Sequence, residues 1–564
     1  MIELLVTVPL FVGALLALVT RGKLRTLLTL AAPVAGAVFL YSLAPEAEIR
    51  TQLMGMDLMP VRIDAMSRMF GYLFHIAAFI GIVYSLHLKD TAQLVCSIAY
   101  AACAVGAVFA GDLLTLFLFW EGLALTSSVL VAARRTKRSM GAAKRYLIVQ
   151  VFSGVLLLAG AIAWMRLGHS LEFNHIGTAT VAGKLIFIAF GIKASFPFVH
   201  TWLTDAYPEA SSSGTVFLCA FTTKVAIYAL ARGFAGTEVM VPIGLAMACF
   251  PIFFAVIAND LRRVLAYSMI NQLGFMVVGI GVGTQLAING AVAHAFNDVL
   301  FKGLLMMSMG AVLYVTGEMR GSELGGLYKK MPKTVILCMI GAASISAFPL
   351  FNGFVSKSMI VSAVLEEGYD YAWLGLLFAA AGVFHHAGIK IPFFAFFAHD
   401  SKHVATAKEA PRNMLIAMTI SAVLCIGIGC FPETLYALLP FENHYDPYTS
   451  GHVLAQLQLL LFSALAFLSL RIYKIYPPEL RSSNLDANWV YRRFVPHILQ
   501  EVSGRIMAAD KAFRAFALDV LGKGTLWLAG YHRQEGVLAR TWPTGSMVLW
   551  VAVILGASLV MYFL

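Results

Sequence analysis

Sixteen apolar runs, most of them long enough to cross a bilayer, partition the chain and leave it few folds to choose from. They lie near 2–20, 25–44, 66–87, 93–110, 112–133, 144–166, 183–203, 213–233, 239–258, 264–284, 286–316, 334–365, 371–398, 412–431, 453–473 and 546–563. About 20 helical residues cross a hydrocarbon core, and backbone polar groups there must be satisfied within the segment. A chain of 564 residues, 60% hydrophobic and 13% charged, is therefore expected to be an all-α polytopic membrane protein of about 14–16 helices. The first run has neither a basic leader nor a small-residue cleavage site and reads as a retained helix.

The net charge of +11 does not indicate nucleic acid, because the basic residues sit in loops between apolar runs. Basic loops follow odd-numbered runs: Arg21–Arg25, Arg134–Arg145, Arg262–Arg263, Arg320–Lys333 and Lys402–Arg412. Loops after even-numbered runs are acidic or neutral, as at Glu238, Glu366–Asp370 and the stretch 432–446. One odd loop, TDAYPEASSSG, carries acids instead. The bias places the basic loops in the cytoplasm and both termini outside. The organisation expected is three N-terminal helices (1–92), two five-helix repeats (93–233 and 239–398), C-terminal helices (412–473), a surface segment (474–545) and a last span (546–564). In the surface segment Ile498, Val502, Ile506, Phe513, Phe516 and Val520 recur at helical spacing between charges, which suits an amphipathic helix on the cytoplasmic side. Pro496, Gly504, Gly522 and Gly524 are expected to shorten or bend it.

Ionisable residues inside the runs are few. Lys193 and Lys224 each stand near the middle of one, and Pro197 breaks the first. A lysine at membrane depth costs about 2.5–3.5 kcal/mol on insertion scales and so faces a partner or a water-filled cavity. Glu121 stands mid-run without a lysine in its own helix, and His294, Asp298 and Lys302 fall at i, i+4 and i+8 on one helical face. Lys357 follows a second proline break, SAFPLFNGFVSK, and His385, His386 and Lys390 lie in the next run. The two proline-broken runs are the seventh and twelfth; an odd offset reverses direction, as in two inverted five-helix repeats with broken helices. A desolvated lysine beside a movable carboxylate can hold or release a proton, and histidine titrates near neutrality without help. Glu121 is the candidate switch for Lys193. The expected relay runs from Lys224 to His294 and from Lys302 to Lys357, against the plainer alternative of an Asp298–Lys302 packing pair.

No cofactor or metal site is indicated. The seven cysteines lie singly in apolar runs without CxxC spacing, and no dinucleotide-binding glycine motif occurs. His385 and His386 would point about 100° apart, a poor metal pair. An ion-translocating subunit, rather than a redox enzyme, is the class these residues favour.

The runs GIKASFPFVHTWLTDAYPEA, TTKVAIYALARG, NDLRRVLAYSMINQLGFM and AFPLFNGFVSKSMI resemble the proton-conducting antiporter-like subunits shared by Mrp-type cation/proton antiporters and respiratory complex I. The resemblance covers roughly residues 60–430. It implies a bacterial inner-membrane subunit that moves protons along Glu121, Lys193, Lys224, His294, Lys302 and Lys357, with sodium as a candidate coupled cation and other membrane subunits as partners. The acid of NDVLFK resembles the D-type antiporter subunit, whereas the surface helix and last span resemble the L-type complex I subunit and its lateral helix. The alternative implied is a pumping subunit of a complex I-like oxidoreductase or membrane-bound hydrogenase.

Overall fold

The computed structural model describes residues 6–44, 46–53, 55–473, 475, 485–538, 540 and 543–564. The proline-rich break at 476–484 lies outside them. The chain divides into two units, Met1–Asn484 and Leu485–Leu564.

In the first unit the chain runs through α1 (Val8–Val19), α2 (Gly22–Ser42), β1 (Ala47–Leu53), β2 (Met56–Ile63), α3 (Ala65–Ser85), α4 (Thr91–Phe109), α5 (Leu113–Ala132), α6 (Lys137–Arg166), α7 (Val181–Lys193) and α8 (Thr201–Ala206). It continues through α9 (Gly214–Ala220), α10 (Thr222–Gly233), α11 (Met240–Ile257), α12 (Leu261–Val282), α13 (Gln285–Thr316), α14 (Pro332–Ile345), α15 (Asn352–Glu366) and α16 (Asp370–Val383). Helices Arg412–Cys430 and Ser450–Ile472 follow. Among the described residues of both units, 13 helices are long and apolar enough to cross a membrane. The shorter α1 and the interrupted pairs α7–α8 and α14–α15 account for the remaining apolar runs.

Helix starts follow from capping residues. Asp90, Asp112 and Asp260 accept backbone N–H bonds from the first turns of α4, α5 and α12, and Thr136 and Asp64 form capping boxes for α6 and α3. Arg232 of α10 forks onto both Asp64 carboxylate oxygens at 2.8 and 2.7 Å.

The all-α expectation needs one correction. Residues 47–63 form an antiparallel hairpin with a register shift between Ile49 and Thr51. Its second strand buries Leu58, Met59, Val61 and Ile63 and leaves Asp57 exposed. Between helices this stretch reads as a loop, because a two-stranded hairpin is too short to announce itself against sixteen apolar runs.

The same backbone scheme occurs twice along the first unit. An antiparallel bridge joins Asp112 to Glu172, and another joins Asp260 to Arg320. Around the first, Leu113 N–H donates to Leu171 O and Phe173 N–H to Gly111 O; around the second, Leu261 N–H donates to Met319 O and Gly321 N–H to Asn259 O. The two helix breaks repeat as well. Ser195 and Phe198 flank Pro197 with φ of 65° and 70°, and Ala347 and Leu350 flank Pro349 with φ of 59° and 71°. In each, one N–H reaches back three residues and the next reaches back five: Ser195 to Ile192 and Phe196 to Gly191, then Ala347 to Ser344 and Phe348 to Ala343. The sequence runs A-S-F-P-F and S-A-F-P-L thus encode one turn geometry.

The second unit holds helices Val495–His532 and Thr544–Phe563. The 38-residue helix runs unbroken through Gly504, Gly522 and Gly524, contrary to the shortening expected of them. Pro496 sits at the helix start, where its missing N–H is harmless. At about 1.5 Å per residue the helix is about 57 Å long.

Candidate functional site

Lys193 is the last residue of α7, so the break leaves its side chain free to turn inward, where it is fully buried. Its Nζ donates to Trp120 O of α5 at 2.6 Å and sits 4.3 Å from the centre of the Trp120 ring. Trp120 in turn donates to Ser153 Oγ at 3.0 Å, and Ser153 donates to Ala189 O at 2.7 Å, which ties α5, α6 and α7 together. Glu121 follows Trp120 but turns the other way, its carboxylate lying directly against Gly154 of α6. Any side chain at residue 154 would overlap it. Glu121 Oε1 is buried without a hydrogen bond. The carboxylate and Lys193 therefore flank one tryptophan rather than meeting in a hydrogen-bonded ion pair.

Lys224 lies within the first turn of α10, just past the kink of the span α9–α10. The kink at Phe221 frees Cys219 O, which accepts from Lys224 Nζ at 3.2 Å. The same Nζ is 2.5 Å from Asp298 Oδ2 of α13, with both side chains fully buried. The plainer alternative, an Asp298–Lys302 packing pair, does not form: although i and i+4 share a face, Lys302 reaches instead across to Ser268 Oγ of α12 at 2.8 Å. Nor does His294 face Lys224. Its Nε2 bonds Gln272 Oε1 at 3.1 Å and its Nδ1 bonds Ser356 Oγ at 2.9 Å. Because Gln272 Nε2 donates to Asn271 Oδ1 at 2.6 Å, Oε1 is the accepting end; His294 Nε2 then donates and Nδ1 accepts from Ser356.

Lys357 lies beyond the second break, on the opposite side from the position matching Lys193. Counted from Ser195 and Ala347, Lys193 corresponds to Ile345 and Lys357 to Asp205. Lys357 Nζ donates to Ile345 O at 3.0 Å and lies 5.0 Å from the Phe275 ring centre. The span 370–397 carries two π-helical segments, 384–389 and 393–397, of the kind found at functional sites. His386 is fully buried, whereas His385 is half-buried with its ring 5.4 Å from Phe467 of helix Ser450–Ile472. Lys390 donates to Val256 O at 2.6 Å and Ala258 O at 2.8 Å, at the C-terminal end of α11.

Sequence reasoning missed Trp120, Gly154, Ser268, Gln272 and Ser356. The polar run Ser268, Asn271 and Gln272 in an otherwise apolar span was a readable signal. Gly154 was not, since nothing local says which carboxylate will need the space. Arg262, from the run NDLRRV, is also fully buried and donates to Ala210 O, Tyr207 O and Ser211 O at 3.0, 3.2 and 3.1 Å. It holds the loop after α8. Arg262→Ala is expected to strand these carbonyls and cost about 3 kcal/mol or more, seen as a lower melting temperature and faster proteolysis within 207–215.

Residues 110–385 match the family described as NADH:quinone oxidoreductase/Mrp antiporter, TM. The chain is 28% identical over 366 residues to the D-type subunit of the Na(+)/H(+) antiporter of Alkalihalophilus pseudofirmus, covering 61% of this chain and 73% of that one. It is 27% identical over 346 residues to the antiporter subunit mnhD2 of Staphylococcus aureus, covering 58% and 69%. In fold it is similar to a chain of the archaeal membrane-bound sulfane sulfur reductase complex, with TM-score 0.73, 21% identity, and 99% and 100% coverage. It is likewise similar to a chain of the Mrp complex of Dietzia sp. DQ12-45-1b, with TM-score 0.70, 20% identity, and 81% and 99% coverage.

Proposed function

We propose that this chain, whose residues 110–385 match the NADH:quinone oxidoreductase/Mrp antiporter transmembrane family, is the D-type, proton-translocating subunit of a multisubunit cation/proton antiporter in a bacterial membrane. The observation that carries the reading is the set of fully buried lysines bound to neutral oxygens: Lys193 to a carbonyl, Lys302 to a hydroxyl and Lys357 to a carbonyl. Such an acceptor tolerates both the ammonium and the amine, so each lysine can change charge without its partner leaving. Lys224 differs, being held by Asp298, and that carboxylate is the group whose protonation would free it. Glu121, His294, Asp298, His385 and Lys390 complete the proposed path.

The repeated bridges and breaks support two five-helix repeats of opposite direction, 93–233 and 239–398, with the broken helices facing one another across the path. Basic loops inside and both termini outside follow from the charge bias. A second reading, as a pumping subunit of a larger respiratory assembly, is favoured by one observation. The chain of the archaeal respiratory complex aligns over nearly all of this chain, and the Mrp chain aligns over less.

The test is cation-dependent collapse of a preformed proton gradient in everted vesicles carrying the whole complex. Lys302→Gln should lower the rate at least about 10-fold with all subunits retained; a normal rate would sink the reading. The second unit exposes apolar residues along both its helices, which calls for lipid or partner subunits. Deleting residues 485–564 is expected to lower recovery of neighbouring subunits in detergent before it lowers proton flux in intact membranes.

A further inference from the structure

The loop that breaks the charge rule, TDAYPEASSSG, does so for a structural reason. Its acids are bound by the basic residues of the same face: Glu209 is 2.5 Å from Arg138 and 4.0 Å from Arg134. Asp205, near the end of α8, is 2.7 Å from Arg145 Nε of α6, with 12% of its side chain exposed. The two repeated breaks make Asp205 the counterpart of Lys357. The two stand near opposite ends of the path. The end of α8 joins the basic loop 134–138, whereas α15 meets the stretch 432–446, where Tyr436 donates to Val355 O at 2.9 Å.

Helix α6 measures the distance inward. Arg145 is eight residues past Lys137, about 12 Å along the axis, and Gly154, against Glu121, is nine residues or about 14 Å further. Between them on the buried face lies Gln150, fully buried, with both Oε1 and Nε2 lacking a protein partner. Ser195 Oγ, two residues past Lys193, is also fully buried and unpaired. Buried polar atoms in this number are satisfied by water, and Gln150 falls between Arg145 and Gly154 along α6.

We propose that Asp205, held by Arg145, is the proton-uptake carboxylate of the first repeat, and that Gln150 and Ser195 line a hydrated path from it to Glu121 and Lys193. The inference rests on the translocation reading above. A proton from bulk water binds the Asp205 carboxylate; its O–H bond then breaks as a water of the path gains the proton, and the carboxylate is restored beside the guanidinium. No electron moves. The charged groups of this end are Arg145 on α6, the Glu209–Arg134–Arg138 cluster and Arg262 on α12. The buried imidazole of His200 lies on the same segment; within the Arg145–Asp205 pair the arginine stays cationic, so the carboxylate is the member that can exchange a proton.

The test uses the whole complex in everted vesicles, with proton transport and subunit retention measured together. Asp205→Asn keeps an oxygen for Arg145, so packing should survive while transport falls about 10-fold or more. Asp205→Glu should recover at least half the wild-type rate. Gln150→Leu dries the path without unpairing a charge, and should slow transport at least about fivefold at unchanged thermal stability. If Asp205→Asn and Gln150→Leu both transport at half the wild-type rate or better while Lys193→Ala is inactive, the uptake path is wrong. Loss of subunits in both Asp205 variants would make the Asp205–Arg145 pair purely structural and also overturn it. A Lys193→Ala variant that transports normally would instead remove the translocation reading itself.

Discussion

Lys193→Ala is expected to abolish proton-coupled transport while leaving the complex assembled. The side chain ends a helix, binds one backbone carbonyl and lies over one indole ring, so its removal leaves Trp120 O to the helical ladder of α5. The structural cost is small against the loss of the group proposed to carry charge. Lys193→Arg should fail equally, because a guanidinium keeps its proton at every working pH. Glu121→Gln should also stop transport; its amide fits the space left by Gly154, so assembly is expected to persist. Proton flux in vesicles and subunit recovery, measured on the same preparations, check all three. Normal flux in Lys193→Ala together with Glu121→Gln would end the switch assignment.

Breaking the Lys224–Asp298 pair should have the largest effect on stability. Both groups are fully buried, 2.5 Å apart, and removing one leaves the other charged in a dry interior, at a cost of about 3–5 kcal/mol. Asp298→Asn is therefore expected to lower the melting temperature of the complex and to stop transport. The double variant Asp298→Asn, Lys224→Met removes both charges and should regain most of the stability but not the transport. A stable double variant that still transports would make the pair a packing device. Asp298→Asn with Lys302→Gln should show little coupling, since Lys302 has its own partner in Ser268.

The spans, the two breaks and the buried charges were legible because each rests on local chemistry: run length, a proline, a lysine where lysine is costly. What could not be read was which helix each charge would meet. The i, i+4 spacing of Asp298 and Lys302 is a true helical neighbourhood, yet Asp298 meets Lys224 of α10 at 2.5 Å while Lys302 is taken up by Ser268 of α12. Lys357 teaches the same lesson in reverse. The two breaks match residue for residue in backbone geometry, a likeness the structure reveals, whereas the placing of Lys193 before its proline and Lys357 after its own is already plain in the sequence. The hairpin at 47–63 was missed because short strands carry little pattern of their own.

The turns themselves have a mechanical consequence. Four residues with side chains, Ser195, Phe198, Ala347 and Leu350, are held in the left-handed region, at about 1–2 kcal/mol each, where glycine would sit without strain. A joint meant to swing would be served better by glycine. Side chains at these corners make the interrupted helices stiff brackets rather than swinging joints; on the proposed function, the cycle would be left to protons, rotamers and water.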